Sequence, residues 1–117
     1  MTAQQKVLAA PILQEAINGF LYVGQLGPVA HGGVEPYPNA TVGDKVEFTV
    51  QTSTGNSWKY TINLTQAMIG NPIDFAIPKA TFAEKLKPGA TATLRYTITR
   101  LSGNPVTSQD LIVRLEP

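Results

Sequence analysis

From Lys45 onward the chain alternates apolar and polar positions with a period of two. Val46, Phe48 and Val50 alternate with Lys45, Glu47 and Thr49. Trp58, Tyr60, Ile62 and Leu64 alternate with Lys59, Thr61, Asn63 and Thr65, and Leu94, Tyr96 and Ile98 with Arg95, Thr97 and Thr99. Successive side chains of a strand point to opposite faces, so each run predicts a strand with one buried and one wet face. Shorter runs of the same kind are Ile73, Phe75 and Ile77, closed by Pro78, and Leu111, Val113 and Leu115. Thr54-Gly55-Asn56 has the composition of a turn joining antiparallel neighbours, and Ser102-Gly103-Asn104-Pro105 turns the chain before the last strand. Gln66 to Ile69 and Thr81 to Leu86 are each long enough for about one helical turn, ended by Gly70-Asn71-Pro72 and Pro88-Gly89.

The first third is less regular. Residues 1–11 read as a loose lead-in closed by Pro11, and 12–23 as an irregular first edge strand broken near Asn18-Gly19. Residues 24–44 carry five glycines and three prolines. One strand is expected between Val29 and Tyr37, with a bulge or a close backbone approach at Gly32-Gly33. The sum is a single all-β domain over 1–117, an antiparallel sandwich of about seven strands with a turn roughly every ten residues. Nothing is long enough to supply the crossover helices of a parallel sheet. The expected core is Val46, Phe48, Val50, Trp58, Tyr60, Ile62, Leu64, Ile73, Phe75, Ile77, Leu94, Tyr96, Ile98, Leu111, Val113 and Leu115, each large side chain adding roughly 1.5–3 kcal/mol when buried.

Composition narrows function mainly by exclusion. The 117 residues are 43% hydrophobic and 15% charged, with a formal net charge of +1, which gives no electrostatic reason to expect nucleic acid or an anionic membrane as partner. The basic residues are scattered, and only Lys85 and Lys87 sit close together, on an expected solvated loop. With no cysteine, disulfides, thiolate metal sites and a cysteine nucleophile are ruled out. No run approaches the length of a membrane span, and the first residues make a poor signal peptide, so either the protein stays inside the cell or, the favoured expectation, an export signal lies on a longer parent chain.

Candidate chemistry is sparse. His31 is the only histidine, and Ala30-His31-Gly32-Gly33 lacks the Gly-x-Ser-x-Gly elbow that a lipase-like oxyanion loop requires, so a flexible, solvated side chain is expected. The eight carboxylates are dispersed, without the clustered oxygens of a calcium loop or a zinc ligand set. No phosphate-cradling glycine loop is present. No catalytic residue, metal or cofactor is therefore assigned. The aromatics offer the remaining possibility, a carbohydrate-binding platform. Tyr22 and Tyr37, in the irregular third, are the candidates for exposed contacts, whereas the register of Trp58 favours a core-capping ring over a ligand platform. Asn39-Ala40-Thr41 and Asn63-Leu64-Thr65 match the glycosylation triplet, which matters only in a eukaryotic secretory route.

Ala10-Pro11, Tyr37-Pro38, Val42-Gly43-Asp44, Ile77-Pro78-Lys79 and Tyr96-Thr97-Ile98 together give the chain a familiar look. It resembles the immunoglobulin-like repeats of very large proteobacterial surface proteins, over nearly its whole length. The resemblance implies an immunoglobulin-like sandwich in which Asp44 fixes a turn, Pro78 stops a strand, and Tyr96 packs inside with its hydroxyl tied to backbone. It also implies a non-enzymatic stalk or adhesion module, extracellular or at the cell surface, whose partners are neighbouring domains, a surface protein or a glycan. Unpaired edge strands leave an edge-to-edge homodimer open. The alternative is a stand-alone carbohydrate-binding sandwich using Tyr22, Tyr37 and Trp58.

Overall fold

The computed structural model describes residues 8–101 and 103–117. Among them, β1 (Ile12–Leu13), β2 (Phe20–Tyr22), β3 (Val29–Val34), β4 (Lys45–Thr52), β5 (Ser57–Asn63), β6 (Ile73–Pro78), the short helix α1 (Ala80–Ala83), β7 (Thr91–Thr99), β8 (Val106–Thr107) and β9 (Leu111–Glu116) follow in order. They form two sheets packed face to face, one of order β1-β3-β6 and one of order β2-β9-β7-β4-β5, with β8 paired to β7. The mostly-β sandwich expected from the alternation is present, with nine strands rather than seven because two are only two residues long.

The predicted first edge strand is divided between the sheets. Asn18 and Gly19 both take positive φ, 51° and 84°, and Ile17 and Phe20 bridge to each other across this tight turn. The turn sends β1 to β3 and carries β2 across to β9. Among the described residues, only the β2–β9 pairing is parallel.

The strand predicted between Val29 and Tyr37 ends at Val34 and pairs with β6 in unbroken register, so no bulge forms. The close approach is at Gly32. A Cβ there would lie 2.8 Å from Cζ of Phe48, so the glycine is the space into which that ring packs. Three of the four predicted turns fall as expected: the β4–β5 hairpin, a 3-10 turn at Gln66–Met68, and α1, which starts earlier than Thr81. The first seven residues of the lead-in, and Ser102 of the fourth turn, lie outside the described residues.

The core runs along the inner faces of β4, β6, β7 and β9, where Val46, Phe48, Val50, Phe75, Ile77, Leu94, Tyr96, Ile98, Val113 and Leu115 are all at most 3% exposed. Leu21, Val34 and Phe82 add to it from the segments the alternation did not reach. Strand β5 is the correction. Tyr60 is 56% exposed, and Trp58 and Ile62 are only partly buried, although all three occupy the inward register. The sheet that contains β5 is five strands wide on its main path and faces a sheet of three, so β5 overhangs its partner. Leu111, at the start of β9, is also only partly covered.

Candidate functional site

The residues singled out from sequence do not form one site. Tyr22, on β2, is 38% exposed, with its ring 6.3 Å from that of Phe20. It borders a depression of about 270 Å³ with Gln14, Glu15 and Leu26.

Tyr37 is not the exposed contact expected; it is 8% exposed and held inside a polar cluster. Its hydroxyl donates to Oδ2 of Asp44 at 2.9 Å, and the Thr41 N–H donates to the same oxygen at 3.1 Å. The Arg100 guanidinium lies over the Tyr37 ring, 5.5 Å from its centroid, and donates to the carbonyls of Pro38 and Asn39. Asp44 itself is 1% exposed, and Nη1 of Arg100 stands 3.8 Å from it. Burial, then the hydrogen bond to Asp44, pushes the Tyr37 phenol well above its ordinary range. The turn-fixing role expected of Asp44 is therefore real, and Tyr37 belongs to the same turn.

Tyr96 also behaves as expected. It is 2% exposed, and its hydroxyl donates to the carbonyl of Ala9 at 2.7 Å, tying the lead-in to the middle of β7. Burial, followed by the charge of Glu35, raises its pKa.

His31 is exposed yet not free. Its backbone N–H donates to Oε1 of Glu15 at 2.8 Å, and its Nδ1 meets Oε2 of the same carboxylate. Burial opposes ionisation of Glu15, but these hydrogen bonds outweigh it and hold the carboxyl below its usual range. The pair fastens β1 to β3. Asn56, in the β4–β5 turn, donates from Nδ2 to the carbonyls of Thr81 and Glu84 at 3.1 and 2.7 Å, anchoring the hairpin to the α1 turn.

Beyond the depression at Tyr22, two more surfaces could seat a ligand. The outer face of the larger sheet carries an open depression of about 620 Å³ bordered by Thr49, Gln51, Ser57, Lys59, Arg95 and Thr107. Its charges are matched internally: Arg95 Nε lies 2.9 Å from Asp110 Oδ1, and Lys59 lies 3.8 Å from Glu47. What it offers is a flat, neutral row of hydroxyls.

The second surface is the mouth between the free edges of β5 and β6, a cavity of about 330 Å³ lined by Trp58, Tyr60, Asp74, Phe75 and Ala76. The Trp58 and Tyr60 rings are nearly parallel, 8° apart, with centroids displaced by 6.2 Å. Buried Phe75 forms the floor, standing edge-on to Tyr60 at 6.4 Å and stacked on Phe48 at 4.8 Å. Sequence reasoning placed Trp58 here only as a minority reading and missed Tyr60. Nothing in the alternation of β5 differs from that of β4; what differs is the width of the opposing sheet, which the pattern of one strand does not encode. Among the described residues, no cluster of three or more His, Asp or Glu could hold a metal ion, and no helix is long and apolar enough to cross a membrane. Comparison of the chain with family models, with curated proteins and with solved structures finds no significant match.

Proposed function

We propose that the chain is a non-catalytic, immunoglobulin-like structural and adhesive module of a bacterial surface or secreted protein, one link in a row of neighbouring domains. The observation that carries this reading is the parallel pairing of the first long-range strand of one sheet with the last. Phe20, Leu21 and Tyr22 run alongside Arg114, Leu115 and Glu116 in the same direction. The Gln109 N–H donates to the carbonyl of Leu8, at the head of this pair, while Gly24 lies against Pro117 at its foot. The described residues thus run from Leu8 at one pole of the sandwich to Pro117 at the other, roughly 20–25 Å away at about 3.3 Å per residue. A module threaded in that way adds length to an array. The immunoglobulin-like reading is supported by the N-terminal segment, which gives one strand to each sheet, and by a hairpin and a short helix in the expected places.

Tension applied across such a module pulls β2 and β9 in opposite directions along their strand axes, shearing their shared hydrogen bonds all together. Force spectroscopy on a tandem polyprotein of the chain tests the role. Stretching from end to end is expected to give single cooperative ruptures. Their force is expected to exceed that needed when the same chain is pulled through cysteines placed at Gln51 and Ser57, which face each other and unzip β5 from β4. Equal forces in the two geometries would refute the spacer role.

A further inference from the structure

We infer that the mouth between β5 and β6 is a carbohydrate-binding site, taking one pyranose unit of a glycan against Trp58 and Tyr60. This goes beyond the spacer role and stands independently of it.

The argument starts from an unfavourable arrangement. Two large aromatic side chains occupy the inward register of β5, yet the narrower opposing sheet stops at β6 and leaves Tyr60 56% exposed. An edge strand that needed only solubility would carry polar residues there. Instead the rings lie parallel, braced from beneath by Phe48 and Phe75, which are 0% and 3% exposed. A braced pair of rings is already ordered, so little conformational entropy is lost when a ligand lands on it.

Two kinds of group then converge. The rings offer π-faces for the apolar C–H face of a sugar. The outer edges of β5 and β6 have no strand partner among the described residues and present main-chain N–H and C=O groups on either side. Asp74 borders the mouth, but it alternates with buried Ile73 and Phe75, and its carboxylate leans over Gly33 on the outer face of β6, so it is a control position and not a ligand group. A pyranose is apolar on its ring faces and ringed by hydroxyls, and it matches both the rings and the main-chain edges. The volume, about 330 Å³, is at the lower end for a small-molecule site.

The test uses a built-in reporter, since Trp58 is the only tryptophan of the chain. The full chain is screened on a glycan array, and methyl glycosides of the sugars retained are titrated while Trp58 emission is followed. Saturable quenching or a blue shift is expected, with affinity reduced at least tenfold in Tyr60→Ala, which is exposed and should still melt as one cooperative unit. Asp74→Asn and Tyr22→Ala should bind like the parent. An array without hits, titration without a change in Trp58 emission, equal loss in Tyr22→Ala, or retention of extended peptides in place of sugars would each overturn the assignment. None of these outcomes bears on the force measurement, so the two readings fail separately.

Discussion

Replacing Gly32 and Gly33 by alanine, one at a time, makes a matched pair of perturbations separated by a single residue. Both glycines are buried in β3, and neither has a positive φ, so backbone strain is absent from both substitutions. Only the surroundings differ. The new methyl at position 32 would sit 2.8 Å from Cζ of Phe48, 3.2 Å from its Cε1 and 3.1 Å from Cδ1 of Ile77. Phe48 is fully buried and stacked on Phe75 at 4.8 Å, so its ring has no empty space to retreat into. Overpacking of this kind costs about 1–3 kcal/mol, which for a domain of this size lowers Tm by roughly 5–15 °C. At position 33 the nearest atoms are 3.9 Å away, an ordinary van der Waals contact. Gly33→Ala should therefore be neutral, or stabilise by about 0.4–1 kcal/mol through the reduced freedom of the unfolded chain. Urea unfolding followed by circular dichroism measures both. Equal effects at the two positions, or a Gly32→Ala protein as stable as the parent, would show that Phe48 does not rest on the bare backbone of β3.

The remaining predictions concern the polar ties. Asp44→Ala strips Tyr37 and Thr41 of their shared acceptor and leaves a buried hydroxyl unpaired, a loss of about 3 kcal/mol in chemical denaturation; no change would mean the cluster is incidental. Tyr96→Phe removes the bond to Ala9 and should cost about 1 kcal/mol, with faster amide exchange around Leu8 to Pro11 as its local sign. The raised pKa values of Tyr37 and Tyr96 mean that the folded state favours neutral phenols. Their contribution is fully present below the unfolded-state value near pH 10 and is lost as pH climbs beyond it. The urea midpoint should hold steady up to about pH 10 and then fall, less steeply in Tyr37→Phe; an equal slope in that variant would remove Tyr37 from the account.

What could be read from the sequence was whatever a single strand decides by itself. Leu94, Tyr96 and Ile98 announce a buried face, and the length and regularity of β7 follow from its unbroken alternation. The turn-fixing role of Asp44 was legible only through the resemblance carried by Val42-Gly43-Asp44. Tyr60 was not, since its exposure depends on a strand in the other sheet that stops short. Tyr37 looked free because it follows a proline-rich stretch, and only tertiary structure brings Arg100 over its ring. The Glu15–His31 and Asn56–α1 ties likewise join residues that no local rule connects.

The parallel pair that threads the sandwich also sets the order in which the molecule is completed. Leu21 is fully buried against a strand centred on Leu115, and Tyr96 holds Ala9 from far along the chain. During synthesis β2 must wait for its partner until β9, far along the sequence, has been made. The β4–β5 hairpin forms from local contacts, but the seam between β2 and β9 is a non-local closure and should be slow. Until it forms, β2 has no strand to lie against, so an interrupted or truncated chain lacking residues 111–116 leaves Leu21 uncovered. The seam that the proposed array would load is, in a growing chain, the last place to close.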